Sequence, residues 1–241
     1  MKKLFYFIII SLAILNSCSK SINMETKNKF VNPYNYVGQQ HNNVLMLLNA
    51  DKKLNLQNFE QHWENIRPQI ASNLNLDLKK VVNYNDAKKQ YSFINKKKST
   101  ELPNISDYAI ELYNSDSINL LQENYLLQLD TLIRNNFGSS NFSELINNFE
   151  YAVNNDSQLN DEQKSLIFIT SAVSNYSESF WVDALTDPKN LYYSPDSMFP
   201  WLIVGCDAVG AIAGALLTGG DPWGAVALGG FCSGIAWNLS R

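Results

Sequence analysis

Histidine occurs twice in this chain of 241 residues and cysteine three times, so the side chains that most often carry metal or nucleophile chemistry are scarce. His41 and His62 have no histidine partner at helical spacing, and no cysteine pair has the short spacing of a zinc site, which leaves no readable metal or cofactor motif. A phosphate-cradling glycine loop is missing as well, because the glycines fall in apolar stretches without a following Lys-Ser/Thr. Excess positive charge is also lacking. Nineteen Lys and Arg against 23 Asp and Glu give a net charge of −4, which supplies no field for gathering a polyanion. The one dense cationic cluster, Lys96-Lys97-Lys98, reads as a solvated loop, so no nucleic-acid partner is expected. Alternating apolar patterns of the strand type are nearly absent, and an all-α fold is expected.

What is present begins at the N-terminus. Lys2 and Lys3 precede an apolar stretch from Leu4 to Leu15, which falls short of the ~20 residues that a helix needs to span a bilayer and has the layout of an export signal. Leu15-Asn16-Ser17-Cys18 follows, and it resembles the lipobox of bacterial lipoproteins. The resemblance implies cleavage after Ser17, a signal peptide over 1–17, and a mature chain joined to the membrane through acyl groups on Cys18. Ser19, in the place where an Asp marks inner-membrane retention in the enteric sorting scheme, implies the outer membrane. Residues 18–31 are polar, basic-leaning and without periodicity, as a tether would be.

Residues 32–199 read as a helical domain. Asn32 can cap and Pro33 can open a first helix, with Tyr36, Val37, Val44, Leu47 and Leu48 recurring at helical spacing as its apolar stripe. Leu56, Phe59, Trp63 and Ile66 mark a second, expected to stop at Arg67 ahead of Pro68. Two short helices follow up to Ile94. After Pro103, Ser106 is expected to cap a helix interrupted near Asn114 and continuing to Asn136, where Gly138 ends it. Phe142 to Val153 and Glu162 to about Leu185 complete the body. Ser171, Ser174 and Ser177 lie along one face of the last helix, a spacing that suits close packing or bonding back to the backbone.

Residues 200–241 differ in kind. Small residues recur every fourth place, at Gly210 and Gly214 in one run and at Val226, Gly230 and Gly234 in the next, giving bare faces on which helix backbones can approach. Thr218-Gly219-Gly220 can end a helix and Asp221-Pro222 can start one, so the segment reads as a helical hairpin packed through Gly210, Gly214, Gly230 and Gly234. Folding it about Gly219 sets Cys206 nearly opposite Cys232, and in an exported protein the expected outcome is a disulfide; two buried free thiols are the alternative. Trp201 and Trp237 fall at one end and Trp223 at the other, as interfacial aromatics would, whereas Asp207 within the first arm argues for burial in protein.

The tail resembles glycine-zipper segments and, more loosely, the small-residue helices of membrane-active two-peptide bacteriocins. The lipobox, the segment Asn32-Pro33-Tyr34-Asn35-Tyr36-Val37-Gly38-Gln39-Gln40-His41-Asn42, the Ser-rich helix ending at Phe180-Trp181 and the Gly/Ala-rich tail together resemble a group of bacterial lipoproteins to which no activity is assigned. No catalytic residue is carried over. A Cys206-His41-Asp207 site is conceivable, but no motif supports it. The expectation is a non-catalytic, lipid-anchored envelope protein with a scaffold or interaction role, the alternative being a membrane-active protein that works through its hairpin.

Overall fold

The computed structural model describes residues 30–50, 59–94, 103–190, 193 and 200–239. The leader, Cys18, the tether up to Lys29 and the Lys96-Lys97-Lys98 cluster lie outside the described residues. Among the described residues the protein is all-α, with nine helices and no strands: α1 (Asn35–Ala50), α2 (Phe59–Asn73), α3 (Tyr84–Ile94), α4 (Ile105–Asn114), α5 (Leu120–Asn136), α6 (Phe142–Asn155), α7 (Asp161–Thr186), α8 (Pro200–Leu217) and α9 (Pro222–Leu239). A 3-10 turn, Leu78–Lys80, links α2 to α3.

Local chemistry explains the boundaries. Asn119 and Asn160 each accept the backbone N–H three residues on and are met in return by Gln122 and Gln163, which closes a reciprocal capping box at the start of α5 and α7. Helix α4 is capped by Asn104, whose Oδ1 accepts from Asp107 N at 2.8 Å. The expected cap, Ser106, sits inside the helix and donates to Asp130 of α5. Pro68 does not stop α2 at Arg67; the helix continues to Asn73, because burying Ile70, Ala71 and Leu74 offsets the one backbone bond that Pro68 cannot make. Asn32 takes Tyr34 N at 2.8 Å in an Asx turn, and α1 starts at Asn35.

The hairpin forms the centre of the molecule. Residues 203–215 of α8 and 224–237 of α9 are buried without interruption, as helices apolar on every side must be. Helix α7 packs on α8, and α1 lies across both α9 and α7. Helices α4, α5 and α6 cover α7 and α8 from one side, while α2 and α3 shield α9 through Trp63 and Tyr84, whose rings meet Phe231 at 4.9 and 6.1 Å. One hydrophobic core therefore runs through body and hairpin alike. No described helix is long and apolar enough to cross a membrane.

Close approach is built from missing side chains. A Cβ on Gly214 would strike the backbone of Gly224, and one on Gly210 would lie 2.6 Å from the Leu228 carbonyl oxygen and 2.8 Å from Gly229 Cα. Gly210 and Gly214 thus serve the α8–α9 contact as expected. Gly230 does not: it faces Val44, so its bare face belongs to the crossing with α1, as does that of Gly229 beneath His41. Gly234 is buried farther along α9. Gly38 receives the Ala172 carbonyl and the Tyr176 ring where α1 crosses α7. The hairpin turn uses Gly219 and Gly220 with φ of +67° and +89°, a region that glycine enters without steric cost.

The disulfide expected between Cys206 and Cys232 is not formed; both are buried free thiols. Their heights match, since Gly214 faces Gly224 and Gly210 faces Leu228, which sets position 206 level with 232 one turn farther on. Their directions do not. Cys232 Cβ occupies the notch left by Gly210, and Cys206 Sγ turns away to donate to the Pro103 carbonyl at 3.3 Å.

Candidate functional site

The four central helices meet at one buried polar cluster. Asp207 of α8, fully buried, accepts hydrogen bonds from Ser177 Oγ and Trp181 Nε1 of α7 (the latter at 3.0 Å) and from Ser233 Oγ of α9. His41 of α1 completes the set, with Nε2 at 3.3 Å from Ser233 Oγ and 3.8 Å from Asp207 Oδ2. Each helix contributes because its small residues allow the approach: Gly229 lies directly under the His41 ring, and Gly38 brings α1 down onto α7.

The donor bookkeeping defines the partners. Ser233 has one hydroxyl proton and gives it to Asp207, which leaves a lone pair facing His41 Nε2. Asn42 gives its amide N–H to the Tyr176 carbonyl at 2.8 Å, so its Oδ1 is the atom 3.2 Å from His41 Nδ1. Both imidazole nitrogens therefore lie beside side-chain oxygens, Nδ1 at Asn42 and Nε2 at Ser233. Burial pushes the Asp207 carboxyl above its ordinary range, opposed first by His41 and then by the three donated hydrogen bonds. Burial likewise drives the thiols of Cys206 and Cys232 upward, with the Asp207 charge adding to the effect.

Serine, histidine and aspartate together invite comparison with a nucleophile relay, but the wiring differs. A relay needs the serine on one ring nitrogen and the carboxylate on the other. Here both lie at Nε2, and the serine proton goes straight to the carboxylate. Cys206, conceivable as a partner of His41 and Asp207, points to Pro103 instead. The cluster works as a structural knot that ties α1, α7, α8 and α9 at a single level.

Two further knots hold the periphery. Asn32 donates to Glu150 Oε1 at 2.5 Å and to the Phe168 carbonyl at 2.9 Å, and Ser171 reaches the same carboxylate at 2.7 Å, which pins the start of the described chain to α6 and α7. Asp130 accepts from Ser106 at 2.5 Å and from Arg134 at 2.7 Å, and the Arg134 guanidinium lies 4.6 Å from the centre of the Trp201 ring. Of the serines on α7, Ser171 and Ser177 bind carboxylates across helices, while Ser174 bonds back to the Thr170 carbonyl at 2.8 Å. His62 donates to the Leu48 carbonyl at 3.1 Å and holds α2 against α1. Sequence reasoning set His41 and Asp207 in one conceivable site with Cys206 but not with Ser177, Trp181 and Ser233, because Asp207 stands in the sequence only as a charge out of place in an apolar helix.

Among the described residues no group of His, Cys, Asp and Glu side chains is arranged to hold a metal ion. No family model, no curated protein and no solved structure matches this chain.

Proposed function

We propose that the chain is a lipid-anchored bacterial envelope protein, moored through Cys18 and directed to the outer membrane, whose helical body has a non-catalytic scaffold or interaction role. The observation that carries this reading is the placement of the hairpin: its arms are core, and the His41, Asp207 and Ser233 side chains that could have served chemistry are sealed between four helices. The lipobox Leu15-Asn16-Ser17-Cys18 and the pinning of the chain at Asn32 support a body tethered close to a membrane. Growth with radiolabelled palmitate tests it: label is expected on the wild-type chain and lost in Cys18→Ala, and a Cys18→Ala chain that still incorporated label would overturn the anchor.

A second reading, in which the hairpin leaves the core and enters a target bilayer, draws on Trp201, Trp223 and Trp237 at the hairpin's ends. It requires extracting Asp207 from four partners, so leakage from liposomes that depends on residues 200–241 is the result that would favour it.

A further inference from the structure

We infer that the hairpin tip and the start of α1 form one face that rests in the headgroup region of the bilayer to which Cys18 joins the chain, an inference that depends on the anchor proposed above. The observations come from two ends of the sequence. The Tyr34 and Tyr36 rings lie 6.5 Å apart, and Tyr36 meets the Trp223 ring edge-on at 5.8 Å, so the first described turn of the chain and the tip of the hairpin share a surface. Tyr36 is 39 % exposed there, Leu217, which immediately precedes the hairpin turn, is 49 % exposed, and Val31, just before Asn32, is 70 % exposed, while Leu216 borders a groove lined by Gln122, Asn160, Glu162 and Gln163. Lys80 reaches the tip as well, 3.7 Å from Asp221.

The tether decides what covers this face. Eleven residues separate Cys18 from Phe30, and at 3.3–3.6 Å per residue they hold Phe30 within about 40 Å of the acylated cysteine. The chain enters the body at this pole, so the anchor draws this side toward the lipid. Tyrosine and tryptophan rings beside an exposed leucine are the side chains that partition into the membrane interface. Lys80 is paired with Asp221 at 3.7 Å, so the contact rests on aromatic and apolar groups and does not call for anionic lipid. The helical arms stay in the core; only the turn between them touches the interface.

The test uses the full acylated chain in phosphatidylcholine vesicles, with a nitroxide placed at Leu217→Cys, at Tyr36→Cys or at Ser140→Cys. Position 140 lies past Gly138, which bonds to Glu178, about 25 Å along α7 from Asp161. The buried native thiols are checked by treating the unsubstituted chain. On reconstitution the labels at 217 and 36 are expected to gain oxygen collisions and lose collisions with a nickel chelate by several-fold, while the label at 140 is unchanged. A chain that floats with the vesicles yet leaves 217 and 36 as open to the chelate as 140 overturns the face and spares the anchor. Absence of an acyl mass on Cys18, or failure to float, overturns both. Protection of 217 from the chelate without vesicles shows a second copy covering the tip and also overturns the inference.

Discussion

Nε2 of His41 and Oδ2 of Asp207 lie 3.8 Å apart with neither side chain exposed, and the contact joins the first described helix to the centre of the hairpin. Asp207 also accepts from Ser177, Trp181 and Ser233, and removing a buried acceptor strands its donors at a cost of about 1–3 kcal/mol. Asp207→Asn keeps the shape but puts an amide N–H where an oxygen accepted, so at least one donated hydrogen bond is lost. We expect the urea midpoint to fall by that amount of stability with an unchanged slope. In a cycle with His41→Gln, the two losses are expected to be coupled by ~0.5–3 kcal/mol rather than additive. Additive losses would show that the two groups act independently.

Glycines in the hairpin are predicted to differ sharply although the sequence makes them look alike. A Cβ on Gly214 lands on the Gly224 backbone and 2.7 Å from Ala225 N, where no side chain can rotate aside. Gly214→Ala should therefore force the helices apart and cost about 1–3 kcal/mol or more. At Gly205 the nearest atoms, Asn104 Cα and the Pro103 carbonyl oxygen, are 4.0 Å away. Gly205→Ala is expected to be neutral or to raise stability by up to about 1 kcal/mol through helix propensity. Thermal melts of the two variants check the contrast; equal destabilisation would contradict the packing.

Local signals placed the hairpin within a residue or two. Gly219-Gly220 supplies the positive φ values and Asp221-Pro222 the next start, and neither depends on distant chain. The errors arose where distant partners decided the outcome. Asn104 and Ser106 can both cap, and Ser106 is drawn to Asp130 in another helix. Pro68 carries a local penalty that the burial of Ile70 and Leu74 outweighs. Height within the hairpin was readable for Cys206 and Cys232, but rotation about the helix axis was not, because it depends on Pro103. The Asp207 knot was least readable: it joins His41 to Ser233 across 192 residues, and no periodicity encodes that meeting.

The thiols supply a third prediction. Cys206 and Cys232 are free, 1 % and 0 % exposed, and both are pushed up by burial, so neither presents a thiolate at neutral pH. Iodoacetamide is expected to modify neither in the native protein over minutes and both once the chain is unfolded in urea. Mass spectrometry of a non-reduced digest should then find two alkylated cysteines. A Cys206–Cys232 linked peptide from envelope material would show that the helices rotate and bond during export.

Three buried carboxylates set the pH dependence. Asp207, Glu150 and Glu178 are raised from ordinary values of 3.8, 4.5 and 4.5 by desolvation, and the hydrogen bonds from Asn32 and Ser171 to Glu150 and from Gly138 N to Glu178 only partly oppose the shift. In the window between those ordinary values and the raised native ones, the folded chain holds more protons than the unfolded chain. Stability therefore falls as pH rises through that window and is regained as pH falls back toward the ordinary carboxylate range. The urea midpoint should be higher at pH 5 than at pH 7.5, opposite to a protein whose carboxylates are stabilised by salt bridges. Glu150→Gln retains an oxygen to accept from Asn32 and Ser171 but cannot ionise, so it is expected to flatten the pH dependence while leaving the acid-side stability near that of the wild type. A midpoint that climbed with pH over the same range, or a Glu150→Gln curve parallel to the wild type, would mean that these carboxyls are not held neutral-leaning by the fold.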